Sequence, residues 1–528
     1  MTRGDRRAGR HVVVVGGGPG GLTAAMILAH RGFDVTVVEK AGRVGGRNAR
    51  LQAGEYSFDT GPTFLHQKFT LEEMFAEAGR TLDDELDLVP LDPMTRLSFG
   101  GVSLDTSSDP AAMADEIERV FPGESAGFHR FMSDHETKLR RLYPCLQTSY
   151  NRLRDMLSPV LLRAVPYVAT NHNVFSLLGR YFDDERLRLA FTFQSKYLGM
   201  SPWKCPALFS ILAYTEYRFG IHHVQGGLCR ISERMAGVAA EDGAEIRLDS
   251  PVQEVLHSGR EVTGVRLASG ETIRADAVVL NADYAEAATR LLGGRNVPGE
   301  RMRRKGFSCS TFMLYLGLDK IYHDEPHHHI LFADDYHRNV TEVQDERTVS
   351  RDMSIYIRNS SVTDPHVAPP GHSALYILVP TINTRHGFDW SGAQAAYRDR
   401  ILARVEERTG MKDLRDHIVV ERVLTPDGWR DDHAIFMGAT FSLKHTLNQL
   451  LYLRPHNRFD GFSNLYLAGG GTHPGSGLPT IYESARIAAN LVGEQFGMKF
   501  PRVDLAGPLL RGETVAPGAG AGRRPLPA

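Results

Sequence analysis

The stretch from His11 to Glu39 constrains the fold more than any other part of the chain. An apolar run, His11-Val12-Val13-Val14-Val15, leads into Gly16-Gly17-Gly18-Pro19-Gly20-Gly21. After a helix-like stretch a second apolar run, Val35-Thr36-Val37-Val38, ends in Glu39. Strand, G-x-G-x-x-G, helix, strand and terminal acid in that order predict a βαβ unit shaped for a dinucleotide. Gly16 permits the tight turn, Gly18 lets the backbone approach a pyrophosphate, and Gly21 lets the helix close on the strand. The N–H groups of the helix start, Gly20 to Ala24, then face the phosphates with the positive end of the helix dipole. Glu39 stands 18 residues beyond Gly21, where an acceptor for ribose hydroxyls is expected.

The next motif bears on which dinucleotide. Gly42-Arg43-Val44-Gly45-Gly46-Arg47 follows Glu39 and Lys40 almost directly. It resembles the second glycine-and-arginine motif of the two-dinucleotide-binding-domain flavoproteins, which ordinary NAD dehydrogenases lack. In that reading Gly45 and Gly46 let backbone amides approach a flavin. Arg47 pairs with phosphate oxygens in a fork geometry that lysine does not reproduce. The segment Phe58-Asp59-Thr60-Gly61-Pro62-Thr63 corresponds to the turn beneath the cofactor in such proteins. The resemblance therefore implies FAD, with NAD(P) second, and adds Lys40, Gly61, Pro62 and Thr63 to the expected cradle.

Composition sets the outer limits. A chain of 528 residues, 42% hydrophobic, is long enough for two intimately connected domains. Its 61 basic and 63 acidic residues nearly cancel, which gives no reason to expect a nucleic-acid partner. The four cysteines, Cys145, Cys205, Cys229 and Cys309, show neither a C-x-x-C pair nor metal-ligand spacing, and read as free thiols of a reducing compartment. The basic N-terminus lacks the apolar core and cleavage site of a secretory signal. No stretch approaches the roughly 18–20 apolar residues that span a bilayer. The end, Pro517 to Ala528, has the composition of a disordered tail.

The expected organisation is a nucleotide domain interrupted twice. Residues 11–75 form its first part, 223–300 its second and 456–500 its third, with flexible tails at 1–10 and 503–528. Residues 76–222 read as a helical, substrate- and membrane-facing region, with apolar residues at helical spacing such as Met113, Ile117 and Val120, then Leu153, Met156, Leu157 and Val160. Short strands around Val252, Val262–Leu267 and Ala277–Leu280 precede Asn281, with turn signals between them. Residues 301–455 alternate strand and helix and read as a mixed-sheet substrate domain. Near the end an apolar strand runs into Gly469-Gly470-Gly471 and a helix starts near Thr480, a second strand-to-helix junction whose amides suit the flavin.

Two runs identify a family. Phe441 to Arg458 (FSLKHTLNQLLYLRPHNR) and Leu465 to Pro479 (LYLAGGGTHPGSGLP) closely resemble the bacterial phytoene desaturases, the FAD-dependent carotenoid dehydrogenases and isomerases. Phe58 to Thr63, Ser361 to Pro370 and Tyr376 to Pro380 agree, so the resemblance extends from about residue 11 to residue 496. It implies an α/β, Rossmann-like two-dinucleotide-binding-domain flavoprotein of amine-oxidase-like fold, with an inserted mixed-sheet and helical substrate domain. It also implies a linear C40 or C30 polyene substrate, stepwise removal of hydrogen, and an apolar tunnel, since a hydrocarbon offers no hydrogen-bonding handle. Hydride would pass to the flavin, a proton to a base or solvent, and the electrons on to a membrane quinone or oxygen. By the same resemblance Val252 and Asn281 join the cofactor set, as do Gly469, Gly470, Gly471, Gly477, Leu478 and Pro479.

Two residues are candidates for chemistry. Glu216, in Tyr214-Thr215-Glu216-Tyr217-Arg218-Phe219-Gly220, stands where the family has an acid, and is suited to take up a proton or stabilise positive charge. The competing reading pairs it with Arg218 or Arg180. His473 follows the triple glycine, with a hydrogen-bonding role set against proton transfer. The chain departs from the family pattern at Val224-Gln225 and at Thr480-Ile481-Tyr482-Glu483, where Glu483 reads as an electrostatic cap of its helix start. Residues 156–182 mix apolar side chains with Arg163 and Arg180, which suits either a monotopic surface or ordinary core helices. The expected location is cytoplasmic, peripheral on the inner face of the cell membrane. His327-His328-His329 reads as an exposed loop, and no metal site is expected. Besides a desaturase, the competing readings are a carotenoid cis–trans isomerase, a desaturase of a hydroxylated or C30 carotenoid, a prenyl-binding module without catalysis and a polar amine oxidase. The intact glycines, Glu39 and Arg47 speak against the binding module, and the THPGSGLP run against the amine oxidase.

Overall fold

The computed structural model describes residues 9–168, 171–292, 302–345 and 348–510. The valine run His11–Val15 forms the middle strand of a five-stranded parallel sheet. β-Branched side chains restrict χ1 and pack well on a pleated surface. Both faces of this strand are covered, which suits a parallel sheet lined by other layers: Val12, Val13 and Val14 are fully buried. The strand order is Glu245–Arg247, Asp34–Val38, His11–Val15, Ala277–Leu280, Leu465–Leu467. Strands as far apart in sequence as those of Val12 and Ala277 thus pair directly.

Helices Pro19–His30, Cys229–Glu241 and Leu478–Gln495 pack over one face of this sheet around Leu22, Ile27, Ile231, Val238, Ala485 and Val492. The opposite face lies against an antiparallel meander, Val252–Ser258, Glu261–Leu267 and Thr272–Arg274.

The second half is built on a seven-stranded mixed sheet in the order Ile418–Leu424, Ser310–Leu318, Ser373–Thr381, Ile355–Asn359, His328–Leu331, Thr95–Phe99, Val102–Thr106. Alternation along Ser310–Leu318 sorts its two faces. Phe312, Leu314 and Leu316 meet the helix Trp390–Arg408, whereas Met313 and Tyr315 join a core shared with the helical region. Among the described residues no helix is long and apolar enough to cross a membrane.

Several expectations need correction. Residues 95–106, inside the stretch read as helical, form two edge strands of the large sheet. Leu153 to Val160 is not one helix with an apolar inner stripe. It comprises a 3-10 turn, Leu153–Leu157, and the start of a short helix, Pro159–Ala164. Leu153 and Leu157 are 70% and 73% exposed. The three consecutive histidines are not an exposed loop. All are buried, His328 and His329 on an interior strand, where each finds a side-chain partner: Thr363 for His327, Tyr356 for His328, Ser98 and Glu325 for His329. Of the expected tails, residues 1–8 and 511–528 lie outside the described residues. Residues 503–506 are held against the nucleotide domain by hydrogen bonds from Val503, Leu505 and Ala506 to Glu77 and Glu73. The helix expected to start near Thr480 starts at Leu478, two residues earlier.

Candidate functional site

Three glycine segments from distant parts of the chain close on one another at the C-terminal ends of the parallel strands. A Cβ on Gly21 would stand 2.1 Å from the Gly16 carbonyl oxygen, so helix and strand meet there only because that atom is missing. A Cβ on Gly20 would lie 3.3 Å from the Gly469 nitrogen, and one on Gly46 would lie 3.3 Å from the Gly18 Cα. The Gly45 N–H donates to the Gly17 carbonyl at 2.7 Å, tying the second motif to the first. Asn281 locks the junction: its N–H donates to the Val15 carbonyl at 2.8 Å and its side-chain amide to the Ala468 carbonyl at 3.0 Å.

Glu39 is buried at the edge of this cradle. One oxygen accepts the Gly17 N–H at 2.7 Å and the other the Ala41 N–H at 2.9 Å, which fixes the carboxylate and leaves lone pairs for hydroxyls. The Ser250 N–H donates to the Glu39 carbonyl at 2.8 Å, so Val252 begins its strand two residues from that contact. The first intrahelical bond of Pro19–His30 is Leu22 N–H to the Gly18 carbonyl, which leaves the Gly20 and Gly21 N–H groups without helical acceptors. Gly477, whose φ is +108°, caps the start of Leu478–Gln495, with Pro479 in the first turn. Two helix N-termini, a backbone-lined cradle and an oriented carboxylate suit the pyrophosphate, ribose and ring of FAD.

Two expected cofactor residues each make one contact to a backbone carbonyl. Lys40 is exposed and its Nζ donates to the Asp432 carbonyl at 2.8 Å. Arg47 donates to the Thr440 carbonyl at 2.7 Å. Arg47 also stays near the cofactor turn: a Cβ on Gly61 would meet its carbonyl oxygen at 2.7 Å.

That turn, Asp59 to Thr63, hangs between the two halves. Asp59 accepts from the N–H groups of Leu228 and Cys229 and from Arg358 at 2.6 Å. The Tyr315 hydroxyl donates to the Thr60 carbonyl at 2.6 Å and that of Tyr376 to the Gly61 carbonyl at 2.8 Å. Thr63 is hydrogen-bonded to the Tyr356 hydroxyl, which reaches His328 at 2.8 Å. Three strands of the large sheet thus position one loop of the nucleotide domain. These tyrosines, with Arg358, lack any spacing signal because their alignment exists only across strands. Asp59 was visible only as part of a resembling motif.

Beyond the turn lies an aromatic cluster. Phe64 stacks on His328 with ring centres 4.2 Å apart and sits 5.3 Å from Tyr197 and 5.6 Å from His66. Glu216 is fully buried beside it, 3.4 Å from the Tyr197 hydroxyl and 3.8 Å from His66 Nδ1. Its second oxygen has no partner among the described residues. Burial pushes its pKa up to about 8 and pushes that of His66 down to about 3. The alternative pairing of Glu216 with an arginine is corrected: Arg180 contacts His172 at 2.8 Å and Arg218 lies over the Phe219 ring.

His473 is held in a hydrogen-bonding position. Its Nε2 is 2.9 Å from the Thr148 carbonyl, Tyr150 packs edge-on against the ring, and burial lowers its pKa to about 3. It is neutral at ordinary pH and fastens the 472–474 segment to the helical region. Glu483 is not a helix-start cap. It lies in the second turn, buried, paired with Arg486 at 2.5 Å and accepting from Tyr143 and Gln147.

The flavin-containing amine oxidoreductase family matches residues 19–493. A 4,4'-diapophytoene desaturase (4,4'-diapolycopene-forming) of a Methylomonas species is 46% identical over 494 residues, 93% of this chain and 96% of the relative. An all-trans-zeta-carotene desaturase of Myxococcus xanthus is 42% identical over 92% of this chain and 94% of its own. A cyclohexylamine oxidase from Brevibacterium oxydans IH-35A shares the fold, with a TM-score of 0.58 at 17% identity, covering 92% of this chain and 99% of its own.

Proposed function

The chain belongs to the flavin-containing amine oxidoreductases, on their phytoene desaturase-like branch, and we infer from that position that it is an FAD-dependent desaturase of a linear carotenoid polyene. It removes hydrogen from adjacent carbons in carotenoid biosynthesis. One observation carries this reading: nearly full-length identity to carotenoid desaturases falls on a chain whose three glycine segments close into an intact dinucleotide cradle.

FAD, when bound, supplies the two-electron oxidation. Glu39, Asn281 and the amides at Gly20, Gly21 and Leu478 orient the cofactor. The turn Gly61-Pro62-Thr63, hung from Tyr315, Tyr356 and Tyr376, sets the floor between cofactor and substrate. Phe64, Tyr197 and Tyr356 exclude water from the reacting carbons. Glu216, beside this aromatic cluster, is the residue that takes up the released proton. With a pKa of about 8, its ionised, proton-accepting fraction grows as pH rises toward that value.

The substrate lives in lipid, and one surface suits the membrane. Leu153, Leu157, Leu162 and Val165 are more than half exposed, and Leu453 on the contacting turn is 53% exposed. Arg152, Arg154 and Arg163 lie exposed among them. Apolar side chains in the acyl region with arginines at head-group level form a monotopic contact. Within residues 156–182 the other face is core, with Val174, Leu177 and Leu178 buried. This arrangement supports peripheral membrane contact, and with it we propose that the protein sits on the inner face of the cell membrane with a membrane quinone or oxygen as electron acceptor.

The test is an anaerobic incubation of FAD-loaded protein with phytoene, zeta-carotene or 4,4'-diapophytoene in liposomes plus a quinone. New longer-wavelength bands coupled to quinone reduction are expected, and their positions count the steps. A changed cis/trans ratio without acceptor reduction would make the protein an isomerase instead.

A further inference from the structure

Arg454 is a guanidinium in the protein interior surrounded by carbonyls. It is 1% exposed. Its Nη2 donates to the Gly470 carbonyl at 2.7 Å and its Nε to the Thr472 carbonyl at 2.9 Å. Nη1 reaches the Gln449 carbonyl at 3.3 Å, and the Leu443 and Lys444 carbonyls stand at 3.5 Å. Among the described residues no carboxylate pairs with it. Burial lowers its pKa, but a guanidinium stays charged at ordinary pH. The charge is felt nearby, where it helps to hold His445 and His473 neutral.

Bracing this turn does not require a charge. Asn457, three residues on, holds the His473 carbonyl at 2.9 Å and the Ser484 hydroxyl at 3.0 Å with a neutral amide. Burying a charge without a counter-ion is costly even after relaxation, so a cation at position 454 calls for a reason beyond scaffolding. Its location supplies one, because its two shortest bonds go to the glycine turn that closes on Gly20. In a trans peptide the carbonyl and the following N–H point in opposite directions. With the Gly470 carbonyl drawn to Arg454, the Gly471 N–H points to the far side of the turn and is polarised as a donor.

We propose that Arg454 is a redox-tuning residue, an uncompensated cation behind the Gly469–Thr472 turn that favours the reduced over the oxidised form of the flavin bound there. The inference rests on the FAD reading above. Hydride uptake by a flavin adds two electrons and one proton, leaving one extra negative charge on the ring unless a second proton follows. A fixed positive charge in a low-dielectric interior lowers the energy of that state. Arg454 acts through the turn and is a positioning residue.

The test measures the two-electron reduction equilibrium of bound FAD by equilibration with a reference dye, in wild type, Arg454→Gln and Arg454→Lys, each checked for FAD content and melting temperature. Gln keeps donors for the carbonyls and removes the charge, whereas Lys keeps the charge and removes the fork. Arg454→Gln is expected to disfavour reduction at least tenfold, about 30 mV for a two-electron couple, while Arg454→Lys stays within threefold of wild type. Equal shifts in both variants, or no shift in either, would overturn the proposal and leave Arg454 a brace. Should Arg454→Gln not fold, the wild-type midpoint against that of free FAD decides: a higher value supports the proposal and an equal or lower one overturns it. Failure of the wild-type protein to take up FAD would count against the flavin reading itself, a separate outcome.

Discussion

Glu216 shows how one environment sets a residue's chemistry. Its carboxyl sits among Phe64, Tyr197 and His66 without a cation, so desolvation dominates and the neutral acid prevails below about pH 8. If it accepts the substrate proton, turnover rises about tenfold per pH unit below that value and levels off above it. Glu216→Gln should remove this limb and lower turnover per bound FAD by about 10²–10⁴. A pH profile unchanged by the substitution would take Glu216 out of the mechanism. Gly21 makes the opposite kind of statement, since its role is the absence of atoms. Gly21→Ala puts a methyl 2.1 Å from the Gly16 carbonyl oxygen. That forces strand and helix apart at a cost of about 1–3 kcal/mol or more, and FAD retained through gel filtration should fall to traces.

Among the elements, the turn Asp59–Thr63 and the surface around Leu153 carry the clearest predictions. Asp59 and Arg358 form a buried pair at 2.6 Å that joins the cofactor turn to the large sheet. Removing one partner of such a pair costs about 3–5 kcal/mol because the other charge is left buried alone. Arg358→Met should therefore melt well below wild type and lose FAD early in the transition, as flavin fluorescence would report. The exposed leucines predict behaviour at a lipid surface. Each contributes about 1.5–3 kcal/mol when withdrawn from water, so Leu153→Asp with Leu157→Asp should reduce flotation with anionic liposomes at least tenfold. FAD content should not change. Undiminished flotation would move the membrane contact elsewhere on the protein.

For the molecule as a whole, buried histidines set the acid limit. Burial lowers His66, His135 and His473 to about 3 and His433 to about 4, against about 6.5 in an unfolded chain. Between these values the unfolded state binds protons that the folded state does not, so stability rises with pH across that window and falls on acidification. Glu216, whose folded pKa is raised, acts in the opposite sense above about 4.5 and is outnumbered. Melting temperature should fall steadily from pH 6.5 toward 4, and a flat profile would contradict the burial of these rings. The two halves are joined where the tyrosines of the large sheet hold the cofactor turn, so heat should release FAD and unfold both halves in one transition.

The nucleotide-binding half was legible in the sequence because its determinants are local. Val12–Val15 and Val35–Val38 select strands by side-chain stiffness, Gly16 and Gly45 take positive φ, and Gly18, Gly20 and Gly21 leave out atoms within a few residues of one another. The THPGSGLP run added the family in the same way. What the sequence did not determine depends on atoms far apart along the chain. The histidine run read as a loop because three polar rings in a row look solvated, yet each is buried and finds a side-chain partner elsewhere in the fold. Glu216 read as an arginine partner because Arg218 is its neighbour in sequence, yet helix geometry turns the two side chains to different faces. Arg454 is one arginine among many in the sequence. Only the folded chain surrounds it with carbonyls and, among the described residues, no paired acid, because burial and charge pairing belong to the three-dimensional packing and not to the order of residues.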